Sequence, residues 1–73
     1  MSIVKVIEVI ASSPNSFDEA IKNCVDEVTK TIKNVDSVYV KDMKVHVKDD
    51  KAFSYGVICK VSFRVIDSER ADN

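Results

Sequence analysis

Few side chains in this 73-residue chain could do chemistry, and most of them lack the neighbours that their chemistry needs. His46 is the single histidine. A nucleophile needs a base within reach, whereas His46 shares the polar parity of Lys44 and Lys48 in an alternating run, the pattern of a surface position. Asp49 and Asp50 are paired carboxylates, but neighbours in a charged turn suit solvation better than a division into acid and base. Cys24 and Cys59 lie 35 positions apart, with no second Cys or His at ligand spacing beside either. That excludes the usual zinc patterns and leaves reduced core thiols of a cytoplasmic protein as their reading, with a disulfide as the alternative. Gly56 is the only glycine, so the sequence holds no glycine-rich phosphate loop. Alone, these residues specify no reaction, and the expectation is no enzyme. A catalyst using His46, Tyr39 or Tyr55 at a subunit interface is the remaining alternative.

Four elements must position these residues. Residues 3 to 10, IVKVIEVI, are β-branched and apolar on both parities, with Val4, Val6 and Ile10 on one side and Ile3, Ile7 and Val9 on the other. They predict a strand buried on both faces. The run breaks at Ala11 to Ser16, where Ser16 with Glu19 forms a capping box and Ser13 ahead of Pro14 is the alternative cap. From Phe17 the apolar residues Ile21, Cys24, Val28, Ile32 and Val35 follow at steps of three and four, which predicts an amphipathic helix of about five turns. Asp18 with Lys22 and Asp26 with Lys30 are expected i,i+4 pairs on its solvated side, and Asn34 suits a left-handed helix end.

The stretch from Ser37 to Lys48 reads as a strand whose apolar parity switches from Val38 and Val40 to Met43, Val45 and Val47. A bulge near Lys41 and Asp42 is the physical meaning of that switch. Asp49, Asp50 and Lys51 read as a hairpin turn. From Phe53 to Val65 the last strand alternates, with Phe53, Tyr55, Val57, Cys59, Val61, Phe63 and Val65 expected under the helix. The tail from Asp67 is polar, and residues 1–2 and 67–73 are expected to be flexible ends of a single domain, 1–73. The fold class is α+β: strand, helix, strand, strand, with a three-stranded antiparallel sheet partly wrapped around one helix.

Eleven Lys plus Arg against twelve Asp plus Glu leave no basic surplus for a phosphate backbone, and no run of about eighteen apolar residues occurs. Neither nucleic acid nor membrane is an expected partner, and no secretory signal is visible at the N-terminus. A chain this small buries only about 60% of its unfolded surface and needs a disulfide, a metal or partner subunits. One helix covers one sheet face, so the other apolar face should meet another copy. A second strand of roughly 40 Å at about 3.3 Å per residue also exceeds what one small subunit can cover.

The element order, the segment KVIEVIASSPNSFDEAI, the helix end KTIKNVD and the closing KVSFRV together resemble the dodecin family, without gaps from about Val4 to Val65. The resemblance implies a bent antiparallel sheet around one helix, twelve copies in a hollow homododecamer, and flavin (riboflavin, FMN or FAD) held between subunits. Dodecins stack a tryptophan on the flavin ring and hydrogen-bond its polar edge with a glutamine. Ser37 stands at the tryptophan position and Gly56, immediately after Tyr55, at the glutamine position. The implied cofactor-binding set is Ser37, Val38, Tyr39, Asp42, Lys44, Tyr55 and Gly56, with no catalytic and no metal-binding residue. In it Tyr39 is the candidate replacement ring or an interface tyrosine, Asp42 the contact to the ribityl chain, and Lys44 the cation for a flavin phosphate. The resulting expectation is a cytoplasmic, oligomeric flavin-binding or storage protein with weakened or altered flavin binding. The alternative is a shell of the same fold that no longer binds flavin and is structural or holds a metal ion, coenzyme A or another nucleotide.

Overall fold

Side-chain chemistry at each boundary accounts for where the elements begin and end in the computed structural model, which describes residues 3–65. The ends expected to be flexible, 1–2 and 67–73, lie outside the described residues. Strand β1 (Ile3–Ser13) continues past the expected end at Ile10, because Ala11, Ser12 and Ser13 stay in register with Val57, Gly56 and Tyr55. Of the two candidate caps, Ser16 is the one that caps helix α1 (Phe17–Thr31), while Ser13 ends β1 and braces the turn ahead of the helix. Ser16, extended at φ −166° and ψ 164°, accepts from the Glu19 N–H at 3.0 Å. Buried Ser13 accepts from the N–H of Asn15 at 2.9 Å and donates to Glu19 Oε1 at 2.7 Å. The Ser13 and Asn15 hydrogen bonds hold the Glu19 carboxyl below its ordinary value.

The helix stops at Thr31 rather than running on to Val35. Ile32 turns extended while its N–H still reaches Val28 O at 2.9 Å, and Asn34 at φ 62° swings the chain back toward the sheet. Val35 is thereby released to pair with Phe63 as the first residue of strand β2 (Val35–Lys48). Sheet pairing wins over continued helical periodicity there. The surface ion pairs also differ from expectation: Lys22 meets Asp26 at 3.7 Å and Lys30 meets Glu27 at 2.9 Å. Both are exposed and screened by solvent, so neither holds the helix in place.

Strand β3 (Lys51–Val65) is central, with order β1-β3-β2 and both pairings antiparallel. The hairpin is tighter than expected. Asp49 at φ 55° and Asp50 at φ 62° form a two-residue loop, and Lys51 already pairs with Lys48. The expected bulge is present, since Lys41 falls between Val40 opposite Cys59 and Asp42 opposite Ile58. A second irregularity, opposite His46 and Val47, removes Phe53 from the expected core set: it is exposed and lies under Lys48 Nζ at 5.2 Å.

The core is small. Ala20, Cys24 and Val28 of the helix are buried against Val57, Cys59 and Val61 of β3, flanked by Ile7, Val9, Val38 and Val40. Both cysteines are free and buried, and desolvation, then the neighbouring Cys24, pushes the Cys59 thiol up to about 11. Beyond the bulge the β2–β3 hairpin projects past the helix, so that the longest dimension is 59 Å. The accessible surface of 5110 Å² exceeds the roughly 4500 Å² expected of a monomeric chain of this mass. The first strand, expected to be buried on both faces, is covered on one only. Ile7, Val9 and Ala11 meet the helix, while Val4, Val6 and Ile10 face outward, Ile10 at 76% exposure.

Candidate functional site

The sheet face turned away from the helix is built row by row from the strand register. Its upper rows are closed by polar pairs: Arg64 Nη2 to Asp36 Oδ1 at 3.2 Å, then the Ser37 and Ser62 hydroxyls at 2.6 Å, then Lys41 Nζ to Glu8 Oε2 at 3.3 Å. Below them Ile10, Ile58 and Asp42 align, followed by Ser12, Gly56 and Lys44, with His46 opposite Ser54. The one-residue bulge at Lys41 makes this possible. It moves the even-numbered side chains Asp42, Lys44 and His46 onto the face that odd-numbered Ser37 and Tyr39 occupy before it.

These lower rows enclose an open pocket of about 570 Å³, with Ile10 and Ile58 as apolar wall, Gly56 at its floor, and Asp42, Lys44 and His46 supplying polar groups. The volume falls among small-ligand sites. Gly56 is buried and carries no side chain, and the His46 imidazole leans across it. A Cβ on Gly56 would stand 3.6 Å from His46 Nε2 and 3.7 Å from Lys44 O.

Of the expected site residues, Asp42, Lys44 and Gly56 converge in this pocket. Ser37 does not line it: its partner Ser62 is six positions from Gly56 along β3, about 20 Å of strand. Tyr39 sits opposite Lys60 on the same face, 65% exposed, in the row directly above Ile10, Ile58 and Asp42. Val38 and Tyr55 point the other way. Val38 packs on the core, and the Tyr55 ring meets Phe17 edge-on at 5.2 Å and 76°. Sequence reasoning weighed His46 only as a catalytic residue of the alternative reading, and passed over Ile10 and Ile58. The available signal was the lone glycine inside an otherwise β-branched strand, since an interior glycine often marks close approach of another group.

The residues present can be tested against a planar heterocycle such as flavin. The glycine floor admits a flat ring, Ile10 and Ile58 give it apolar contact, and Lys44, Asp42 and His46 can hold polar substituents. The stacking ring is what one chain leaves open. Ser37 has none, and exposed Tyr39 lies on the right face but outside the pocket. The fit is to a ring gripped through its edge and substituents more than through stacking. Among the described residues no group of three His, Cys, Asp or Glu side chains is placed to hold a metal ion within one chain, and no helix is long and apolar enough to cross a membrane.

Comparison with known proteins agrees with the fold. The family model described as Dodecin matches residues 3–66. The chain is similar to the dodecin of Streptomyces coelicolor at 27% identity and a TM-score of 0.86, covering 92% of this chain and 96% of that one. It is also similar to the dodecin of Streptomyces davaonensis at 26% identity and a TM-score of 0.85, covering 90% and 97%. In fold alone it matches a calcium-chelating antigen of Mycobacterium tuberculosis, described as a calcium dodecin with a novel calcium-binding site, at 24% identity, a TM-score of 0.78 and coverage of 90% and 94%. No curated protein sequence matches the chain.

Proposed function

Because the chain belongs to the dodecin family, we propose that it works as a cytoplasmic, self-assembling binding protein that takes a flavin, or a closely related planar heterocycle, on the open sheet face between copies. One observation carries this reading. The face left bare by the helix combines exposed Val4, Val6 and Ile10 with a pocket whose floor is a glycine and whose rim is Asp42, Lys44 and His46. The apolar part supports association with further copies, a dodecamer by family resemblance, and the polar pocket supports a ligand held where copies meet. Two buried free thiols suit a reducing compartment.

Affinity should be lower than in a site with a full aromatic stack. A fully desolvated indole contributes about 4 to 6 kcal/mol from 150 to 250 Å² of contact, and Ser37 retains almost none of this. The test is a fluorescence titration of riboflavin and FMN into protein that light scattering has first shown to be an oligomer. Saturable quenching supports the reading. An intact assembly that quenches neither flavin overturns it in favour of a shell that is structural or holds a metal ion, coenzyme A or another nucleotide.

A further inference from the structure

Gly56 has no reason inside its own chain to be glycine. Its φ is not positive, and a Cβ there would make only ordinary contacts, 3.6 Å to His46 Nε2, 3.7 Å to Lys44 O and 3.9 Å to His46 Cδ2. Yet it lies in the middle of the central strand, where glycine forgoes side-chain packing and costs conformational entropy. The explanation must lie outside the chain, on the open face. It is not another backbone, because β3 is paired along both edges and has no free ladder groups to offer.

His46, the chain's single histidine, is the side chain beside that floor. Among the described residues its imidazole makes no side-chain hydrogen bond, so its ring nitrogens are available. Asp42 and Lys44 border the same space. An apolar side chain from a second copy would leave these three polar groups desolvated without partners, which is unfavourable. A flat ring with a hydrogen-bonding edge meets both demands at once.

We infer that His46 is the residue that hydrogen-bonds the polar edge of a planar heteroaromatic ligand in this pocket, and that Gly56 is glycine so that the ring can lie against the central strand. The inference rests on the reading of the pocket as a heterocycle site and adds to it the group that decides specificity. The imidazole supplies the polar contact that a floor without a side chain cannot make.

The experiment compares riboflavin quenching by the assembled parent with that by His46→Ala, His46→Gln and Gly56→Val, each checked for assembly by light scattering. His46→Ala should weaken binding about tenfold, the loss of one hydrogen bond, and His46→Gln should recover most of it because an amide can donate and accept in its place. Gly56→Val, which fills the floor, should weaken binding by about tenfold or more. Should Gly56→Val fail to assemble, carbethoxylation of the unaltered protein's one histidine by diethyl pyrocarbonate gives the same information: saturating riboflavin should slow it. Loss of binding in Gly56→Val with no change in His46→Ala, or unprotected His46 in the saturated protein, overturns the role of His46 and leaves the pocket standing. No effect of any variant on a binding parent, or no binding by the parent, overturns the pocket reading and this inference with it.

Discussion

Replacing Ser37 by tryptophan should turn a weak site into a stronger one, the indole of one copy reaching the ligand of its neighbour, because within one chain Ser37 lies about 20 Å of strand from Gly56. Ser37 lies on the open sheet face, where its hydroxyl is 2.6 Å from that of Ser62 and neither is buried. Losing that exposed contact should cost no more than about 1 kcal/mol of stability, because water can satisfy both groups. An indole stacked on one face of a bound ring removes about 100 Å² of its surface from water, roughly half the burial of a fully enclosed tryptophan. At 25 cal/mol per Å² this amounts to about 2.5 kcal/mol, or about 60-fold in affinity, before any gain from ring geometry.

The assay is riboflavin fluorescence quenching by Ser37→Trp and by the parent at equal subunit concentration, both confirmed as oligomers. Lys22→Trp, on the exposed face of α1, controls for indiscriminate stacking on any added indole and should leave affinity unchanged. One result refutes the reasoning: a correctly assembled Ser37→Trp with the affinity of the parent. Ser37 would then not face the ligand in the assembly, and the correspondence drawn between this strand and the dodecin flavin site would fail at that position.

Ile10→Lys places a charge on a side chain that is 76% exposed in one chain and should dissociate the assembly, with light scattering showing the loss while circular dichroism retains the strand and helix signal; an unchanged oligomer would exclude β1 from the interface. Glu19 has its carboxyl held below the ordinary value by hydrogen bonds from Ser13 and Asn15, so its contribution to stability is present above the unfolded-state value near 4.5 and is lost as pH falls through the lower folded value. Glu19→Gln should flatten that acid limb in thermal melts. The Cys59 thiol, raised from 9.0 to about 11 by burial and by Cys24, should resist a thiol reagent at neutral pH until the protein unfolds. Because the unfolded thiol ionises first, stability should fall as pH rises from about 9 toward 11, a limb that Cys59→Ala removes.

Elements with strong periodicity were readable from the chain, and those governed by competition were not. The alternation from Tyr55 to Val65 identified the buried trio Val57, Cys59 and Val61, because period-2 patterning and burial have the same cause. The parity switch between Val40 and Met43 announced the bulge at Lys41 for the same reason. Apolar spacing carried the helix on to Val35, but spacing does not register that Val35 has a better partner in Phe63. Phe53 kept the parity of a core residue while an irregularity at His46 and Val47 took it out of the core. The candidate site suffered most. Family resemblance pointed to Asp42, Lys44 and Gly56, which do converge, whereas His46 looked like one more polar residue on a strand until the fold placed its imidazole beside the glycine.

The bulge therefore decides more than the shape of one strand. Had β2 continued without the extra residue, Asp42, Lys44 and His46 would face the side where the helix lies, and Met43 and Val45 would line the open face beside Ile58 and Gly56. The sheet would still form and the core of Ala20, Cys24, Val28, Val57, Cys59 and Val61 would be untouched, since all of it lies on the helix and the central strand. The lower rows of the open face would then lose Asp42, Lys44 and His46, and with them the polar rim of the pocket. Inserting Lys41 into the register brings Asp42, Lys44 and His46 onto the face that already carries exposed Val4, Val6 and Ile10, so that one surface can join copies and still leave room between them for a ligand.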